Sequence, residues 1–304
     1  MKKLVFFSMM VAMVFFVSCD KDGVYNPAKK ISKITYTSVS TNKDNGTSTT
    51  YINTQEWIWD KNQLKQIVHK SLDVDNPFTW TEDFTYASDG RLIRVEDKEG
   101  AMYTTYEYDG DRLDKVVEYY DNFRESEYHF KYEGGRLSEI ECWEFDADYS
   151  IKKENRSNPL AFVCSPEIAN LTQMVADNRV VATESQSRHK MDVYITTISL
   201  EWDGDNVSRM IYTYPLYNER YEYLLTYDNK VNPFAGFFGL FFTEAYDDDY
   251  FYKNKNNNIA ISEVGSTWKR EYTYTYTGQY PETYTYVSDG YSLTYRHTYK
   301  IEYK

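Results

Sequence analysis

A chain of 304 residues with 47 Asp and Glu against 34 Lys and Arg, net charge -13, repels nucleic acid and anionic lipid, which makes both poor partners. Aromatic residues make up 18% of it, with 32 tyrosines, so ring area rather than long aliphatic runs supplies the core. The length is enough to bury one substantial core, and barrels or sandwiches of this size are often a single domain.

Residues 1–18 have the layout of a signal peptide: Lys2-Lys3, an apolar run from Leu4 to Val17, then Ser18 before Cys19. That run is too short to span a bilayer comfortably. Phe16-Val17-Ser18-Cys19 resembles a bacterial lipoprotein box, with Phe16 where Leu is usual. The resemblance implies cleavage before Cys19 and a lipid on that cysteine. Asp20-Lys21-Asp22 is similar to the export signals of Bacteroidetes lipoproteins that reach the cell surface. Losing Lys2 and Lys3 takes the net charge from -13 to -15. Residues 19–30, with Gly23, Pro27 and few apolar groups, are predicted to form a lipidated, flexible N-terminal tether. Residues 31–304 are expected to be one all-β repeat domain.

A two-aromatic strand ending in a tight turn then recurs. It stands as Phe84-Thr-Tyr86 with Asp89-Gly90-Arg91-Leu92 and Val95, as Tyr106-Glu-Tyr108-Asp109-Gly110 with Arg112-Leu113 and Val116, and as Phe130-Lys-Tyr132 with Gly134-Gly135-Arg136-Leu137 and Ile140. Weaker copies are Trp57-Ile-Trp59-Asp60 with Leu64 and Ile67, and Leu200-Glu-Trp202-Asp203-Gly204 with Val207 and Met210. Rings two apart with polar residues between them mark a strand with one buried face. Asp-Gly and Gly-Gly supply the positive φ of tight hairpins. Arg-Leu-x-x-Val is expected to restart the alternation on the return strand. The fold class is therefore all-β: an antiparallel meander of hairpin repeats forming a water-soluble barrel or strongly curled sheet. At most one short helix is expected, near 166–177, where Pro166 follows Ser165 as N-cap and Ile168, Leu171, Met174 and Val175 fall at helical spacing.

Later segments break the pattern. Asn76-Pro77, Asn158-Pro159 and Asn232-Pro233 should each end or bypass a strand. Phe234, Phe237, Phe238, Phe241 and Phe242 form the most apolar run after the signal, read first as a core plug and second as an exposed grip on a ligand. Asp247-Asp248-Asp249 lacks the rest of a calcium loop and is read as a solvated turn. Cys142 and Cys164 either form a disulfide or stay free, Cys142 then serving as a small core residue.

Chemical motifs are missing. His69, His129, His189 and His297 stand singly with no metal-ligand spacing, so no metal and no cofactor is expected. Ser266-Thr-Trp-Lys269 has a nucleophile spacing that works on a helix, yet it sits in a strand-rich run. Abundant carboxylates do not by themselves make a glycosidase pair.

The copies around Tyr86, Tyr108 and Tyr132 resemble tyrosine-aspartate (RHS-type) repeats. Together with the lipoprotein box, Tyr227-Asp228, Asn232-Pro233-Phe234 and Gly278-Gln-Tyr280-Pro281, the mature chain resembles a Bacteroidetes lipoprotein family of unknown function with a porin-like fold. The resemblance implies an outer-membrane lipoprotein, on the cell surface or the periplasmic face, touching the membrane through its N-terminal lipid alone. The face opposite the tyrosines is rich in Thr, Glu, Lys and Arg, which suits water rather than lipid. The expected role is non-catalytic binding, first of glycans, with Trp80, Trp268, Phe234, Phe237 and Phe238 as candidate ligand residues. The alternative is a scaffold or adhesin binding a protein partner, and a glycan hydrolase ranks last. A filled interior would favour the scaffold.

Overall fold

The computed structural model describes residues 21–72, 77–98, 101–145, 193–237 and 254–304. The helix expected near 166–177, Asn158-Pro159, Cys164, Phe238, Phe241, Phe242 and Asp247-Asp248-Asp249 lie outside the described residues. Among the described residues seventeen antiparallel strands follow in order: β1 (Ile31–Asn42), β2 (Ser48–Asp60), β3 (Gln63–Ser71), β4 (Thr79–Tyr86), β5 (Leu92–Asp97), β6 (Met102–Asp109), β7 (Arg112–Tyr120), β8 (Phe123–Glu133) and β9 (Arg136–Phe145). The second half holds β10 (Val193–Asp203), β11 (Asn206–Tyr214), β12 (Glu219–Val231), β13 (Asn256–Glu263), β14 (Lys269–Glu271), β15 (Thr273–Thr277), β16 (Tyr280–Asp289) and β17 (Leu293–Tyr303). Neighbours in sequence pair, and β1 pairs with both β2 and β17, so the meander curls into a nearly closed barrel. β14 and β15 are halves of one strand broken at Tyr272, the first paired to β13 and the second to β16.

Alternating strand direction sorts the connections to two ends. The turns after β2, β4, β6, β8, β10, β12 and β15 lie where β1 begins, here called the turn end; the others lie at the opposite, loop end. The turn end carries the Asp-Gly and Gly-Gly pairs of the repeat, while Asp289-Gly290 stands at the loop end, in the connection after β16. Gly134 and Gly135 sit at φ 56° and 90°, two successive positive angles that a side chain would strain.

One expectation is corrected here. The return strand does not simply restart its alternation, because residues three apart would then face opposite sides. All five hairpins instead carry a register shift at the second aromatic, where Tyr86 opposes Leu92 but Thr85 opposes Arg94, leaving Ile93 over. The same shift precedes Trp59, Tyr108, Tyr132 and Trp202. A bulge inserts one residue and restores the face, so both members of Leu92 and Val95, Leu113 and Val116, and Leu137 and Ile140 are buried. Leu-x-x-Val is the sequence record of that bulge.

The second aromatic does more than fill space. Its polar atom reaches back to the backbone carbonyl beside the preceding hairpin's bulge: Tyr86 Oη to Leu64 O at 2.7 Å, Tyr108 Oη to Leu92 O at 2.6 Å, Tyr132 Oη to Leu113 O at 2.9 Å and Trp202 Nε1 to Leu137 O at 2.7 Å. Trp59 Nε1 to Ile31 O, Tyr227 Oη to Val207 O and Tyr303 Oη to Pro281 O continue the ladder at 2.6 to 2.8 Å. Each rung satisfies an acceptor on the preceding hairpin, a net gain of about 1 kcal/mol, while stacking the rings over the core. The repeat is thus a device for joining hairpins.

Residues 21–30, expected to be a flexible tether, are seated across the turn end. The bulges leave N–H groups pointing away from their own hairpins, and the segment accepts them. Leu92 N–H donates to Gly23 O at 2.9 Å and Leu113 N–H to Asp22 Oδ2 at 3.1 Å. Tyr132 Oη also donates to Asp22 Oδ2 at 2.7 Å, and Asp22 N–H donates to Asp111 O at 3.0 Å. Tyr25 is buried, bonded to Pro233 O at 2.6 Å, with its ring centroid 4.9 Å from that of Phe237. Composition shows few apolar groups here, yet one tyrosine and one aspartate suffice to hold the segment.

Outward faces carry cross-strand ion pairs: Lys70 with Glu56 at 2.9 Å, Lys115 with Glu107 at 3.0 Å, Lys131 with Glu139 at 2.7 Å and Arg209 with Glu201 at 3.1 Å. Such exposed pairs add little stability, but a lipid-facing strand would not hold them.

Candidate functional site

The barrel interior changes character along its axis. Near the turn end it is apolar, with Trp57, Phe84, Leu92, Leu113, Val116, Phe234 and Phe237 part of one buried hydrophobic cluster. Phe237 lies 5.0 Å from Trp57 and 6.0 Å from Phe84 between ring centroids. Towards the loop end the same inward positions become polar: Asn53, Gln55, His69, Glu82, Thr104, Glu118 and His297 are all buried.

Burial sets the protonation of these groups. His69 lies flat on Trp80, centroids 3.8 Å apart and planes 5° apart, and its Nε2 shares a hydrogen bond with Glu82 Oε2 at 3.1 Å. Desolvation pushes the imidazole down to about 3, so the pair is a hydrogen bond of a neutral ring rather than an ion pair. His297 is held between Tyr36 Oη at its Nδ1, 2.8 Å, and Ser288 Oγ at its Nε2, 3.0 Å. Burial, and then the Arg270 charge, bring it down to about 4. Ser288, His297 and Tyr36 share the connectivity of a nucleophile relay. An imidazole that resists protonation this strongly is a poor general base at neutral pH.

Glu118 is the opposite case. Burial first, then the charges of Glu125 and Glu144, push its carboxyl up to about 8, against the favourable bond from Tyr128 Oη at 3.2 Å. It is thus mostly protonated at neutral pH, beside Thr104 on the neighbouring strand. Among the described residues no three His, Cys, Asp or Glu side chains come together as metal ligands.

The cavity in this region is lined by Tyr36, Asn53, Gln55, His69, Trp80 and Tyr299, among others, and has a volume of about 10 Å³. That is about the room one water needs, far below the several hundred Å³ of a small-molecule site.

The expected ligand residues are dispersed. Trp80 is half-buried against His69, and Trp268 is half-buried edge-on to Tyr223 at 6.1 Å. No ring contact joins them among the described residues. Phe234 and Phe237 are buried at 5% and 1% exposure, as the plug reading expects and as a ligand grip would not allow. Phe238 and Cys19 lie outside the described residues. Cys142 is a buried free thiol, its pKa pushed up by desolvation.

What the sequence reading missed lies at the loop end. The five most exposed large apolar residues among the described ones, Tyr291 at 105%, Phe123 at 69%, Leu216 at 65%, Leu72 at 56% and Val264 at 49%, all sit in its connections or at a strand start beside one. The signal was present: hairpin tips usually hold Asn, Asp or Gly, and an apolar residue there buries nothing within its own hairpin.

No protein-family model matches this chain, and no curated protein matches it. Among solved structures, a porin-like protein from Bacteroides vulgatus is similar over 90% of this chain and 98% of that one, at 8% identity and a TM-score of 0.25.

Proposed function

We propose that this chain is an outer-membrane lipoprotein, lipidated at Cys19, that works by non-catalytic contact with a protein partner through its loop end. The observation that carries this reading is the concentration of the most exposed large apolar side chains on the loop-end connections. A protein is favoured over a glycan because Trp80, Phe234 and Phe237 are engaged in packing, and because the interior cavity is about 10 Å³. A catalytic role has no support in the buried His297 relay, for the protonation reason given above.

The test is in-cell photocrosslinking from benzoylphenylalanine placed at Tyr291 and, as a control, at Glu133 of the turn end. A discrete adduct from Tyr291 alone, lost on Phe123→Ser with Leu216→Ser, is the expected result. Saturable binding of a glycan with no such adduct overturns the protein-partner reading in favour of the glycan one.

A further inference from the structure

Resting on the lipidation of Cys19 just proposed, we infer that the turn end is the membrane-facing surface of the barrel, seated against lipid headgroups, with the loop end directed away. The reason is the absence of slack. Lys21 is paired with Asp111 at 3.5 Å, Asp22 is bonded to Leu113 N–H, to Tyr132 Oη and to Asp111 O, and Gly23 O takes the Leu92 N–H. Tyr25 is then fixed in the core. Only Asp20 stands between Lys21 and Cys19, two residue steps with a reach of at most about 7 Å. A lipid on Cys19 therefore holds the turns at Asp89–Arg91, Asp109–Asp111 and Glu133–Arg136 close to the bilayer surface.

A barrel on a long tether would tumble freely and have no fixed side. Here the segment that composition marks as a tether is consumed in docking. Strands such as β7, nine residues long and tilted as barrel strands are, put the loop end roughly 20–25 Å further out. This is also the end that carries Tyr291, Phe123 and Leu216, so the orientation places the apolar tips where a partner outside the membrane meets them.

The surface chemistry at the turn end agrees with headgroup contact. Its turns hold acids and bases side by side, Asp89 with Arg91 at 2.7 Å and Asp111 with Lys21, rather than a block of one sign. An overall acidic chain is kept off an anionic surface by long-range repulsion. Local neutralisation at this end removes that repulsion where the bilayer lies.

The experiment uses the full, processed protein in vesicles of neutral phospholipid. In a Cys164→Ser background a fluorophore is attached to Glu133→Cys at the turn end or to Asp44→Cys at the loop end, Cys142 being buried and unreactive. Quenching by lipids that carry a spin label near the headgroup is read for both. The turn-end label is expected to be quenched several-fold more than the loop-end label. Inserting a Gly-Ser spacer of about ten residues after Asp20 is expected to erase most of that contrast. Equal quenching at both ends of the lipidated protein, or stronger quenching at Asp44→Cys, overturns the orientation. Intact mass shows first whether Cys19 carries lipid, and an unlipidated mature chain overturns the anchor and the orientation together.

Discussion

The two ends of this barrel are made from the same hairpins and solve opposite problems. At the turn end the repeat's polar groups find partners within the chain: carbonyls accept from Tyr Oη or Trp Nε1, the Leu92 and Leu113 amides donate to Gly23 and Asp22, and Phe237 packs in the core. At the loop end the inward positions are polar and the most exposed apolar side chains stand on the connections. The comparison teaches that repetition here serves construction, and that contact belongs where the repeat stops specifying the residue.

The largest expected break in that contrast comes from the plug. Phe237→Ala removes a ring touching Tyr25, Trp57 and Phe84 and should cost about 3–5 kcal/mol, read from the urea midpoint. Phe123→Ser at the other end should change stability by no more than about 0.5 kcal/mol.

The polar interior gives the next effect, and its sign follows from proton binding. Glu118 has a folded pKa near 8, above its unfolded value of 4.5, so its folded state holds a proton the unfolded state loses. Stability from this group is full below 4.5 and falls as pH rises through 8. Glu118→Gln should therefore gain on the wild type between pH 5 and 9, by about 3 kcal/mol at pH 7. His69 acts the other way: held near 3 against 6.5, it contributes stability above 6.5 that is lost as pH falls towards 3. His69→Gln should flatten the acid limb of the same urea titration.

Smaller still is a single rung of the ladder. Tyr108→Phe keeps the ring and leaves the Leu92 carbonyl without its donor, which should cost about 1–2 kcal/mol. Asp22→Asn should cost less than that, while raising hydrogen exchange at the Leu113 amide. Unchanged exchange there would show that the N-terminal segment is not docked as described.

Much of this architecture was legible in the sequence, and for identifiable reasons. Paired rings two apart followed by Asp-Gly or Gly-Gly can hardly be anything but a hairpin, and the order of copies gives a meander. The bulge was written in Leu92-x-x-Val95 as a departure from period two, but a short spacing has several explanations until the partner strand is known. The docking of Asp22 and Tyr25 was not legible, because it depends on amides that only the folded bulges leave spare. His69 with Glu82, and Tyr36 with His297 and Ser288, were hidden for the same reason: pairing across distant strands leaves no local spacing. Trp80 and Trp268 lie off the repeat, yet both rings pack against neighbours, Trp80 on His69 and Trp268 edge-on to Tyr223.

The most direct test crosses the two ends in one measurement: the yield of the photocrosslinked adduct from benzoylphenylalanine at Tyr291, compared between wild type, Tyr108→Phe and Phe123→Ser at a temperature where all are folded. The repeat variant should keep the adduct despite its lower stability, and Phe123→Ser should lose it with stability intact. An adduct abolished by Tyr108→Phe and untouched by Phe123→Ser would mean that the tyrosine repeat is itself the recognition surface.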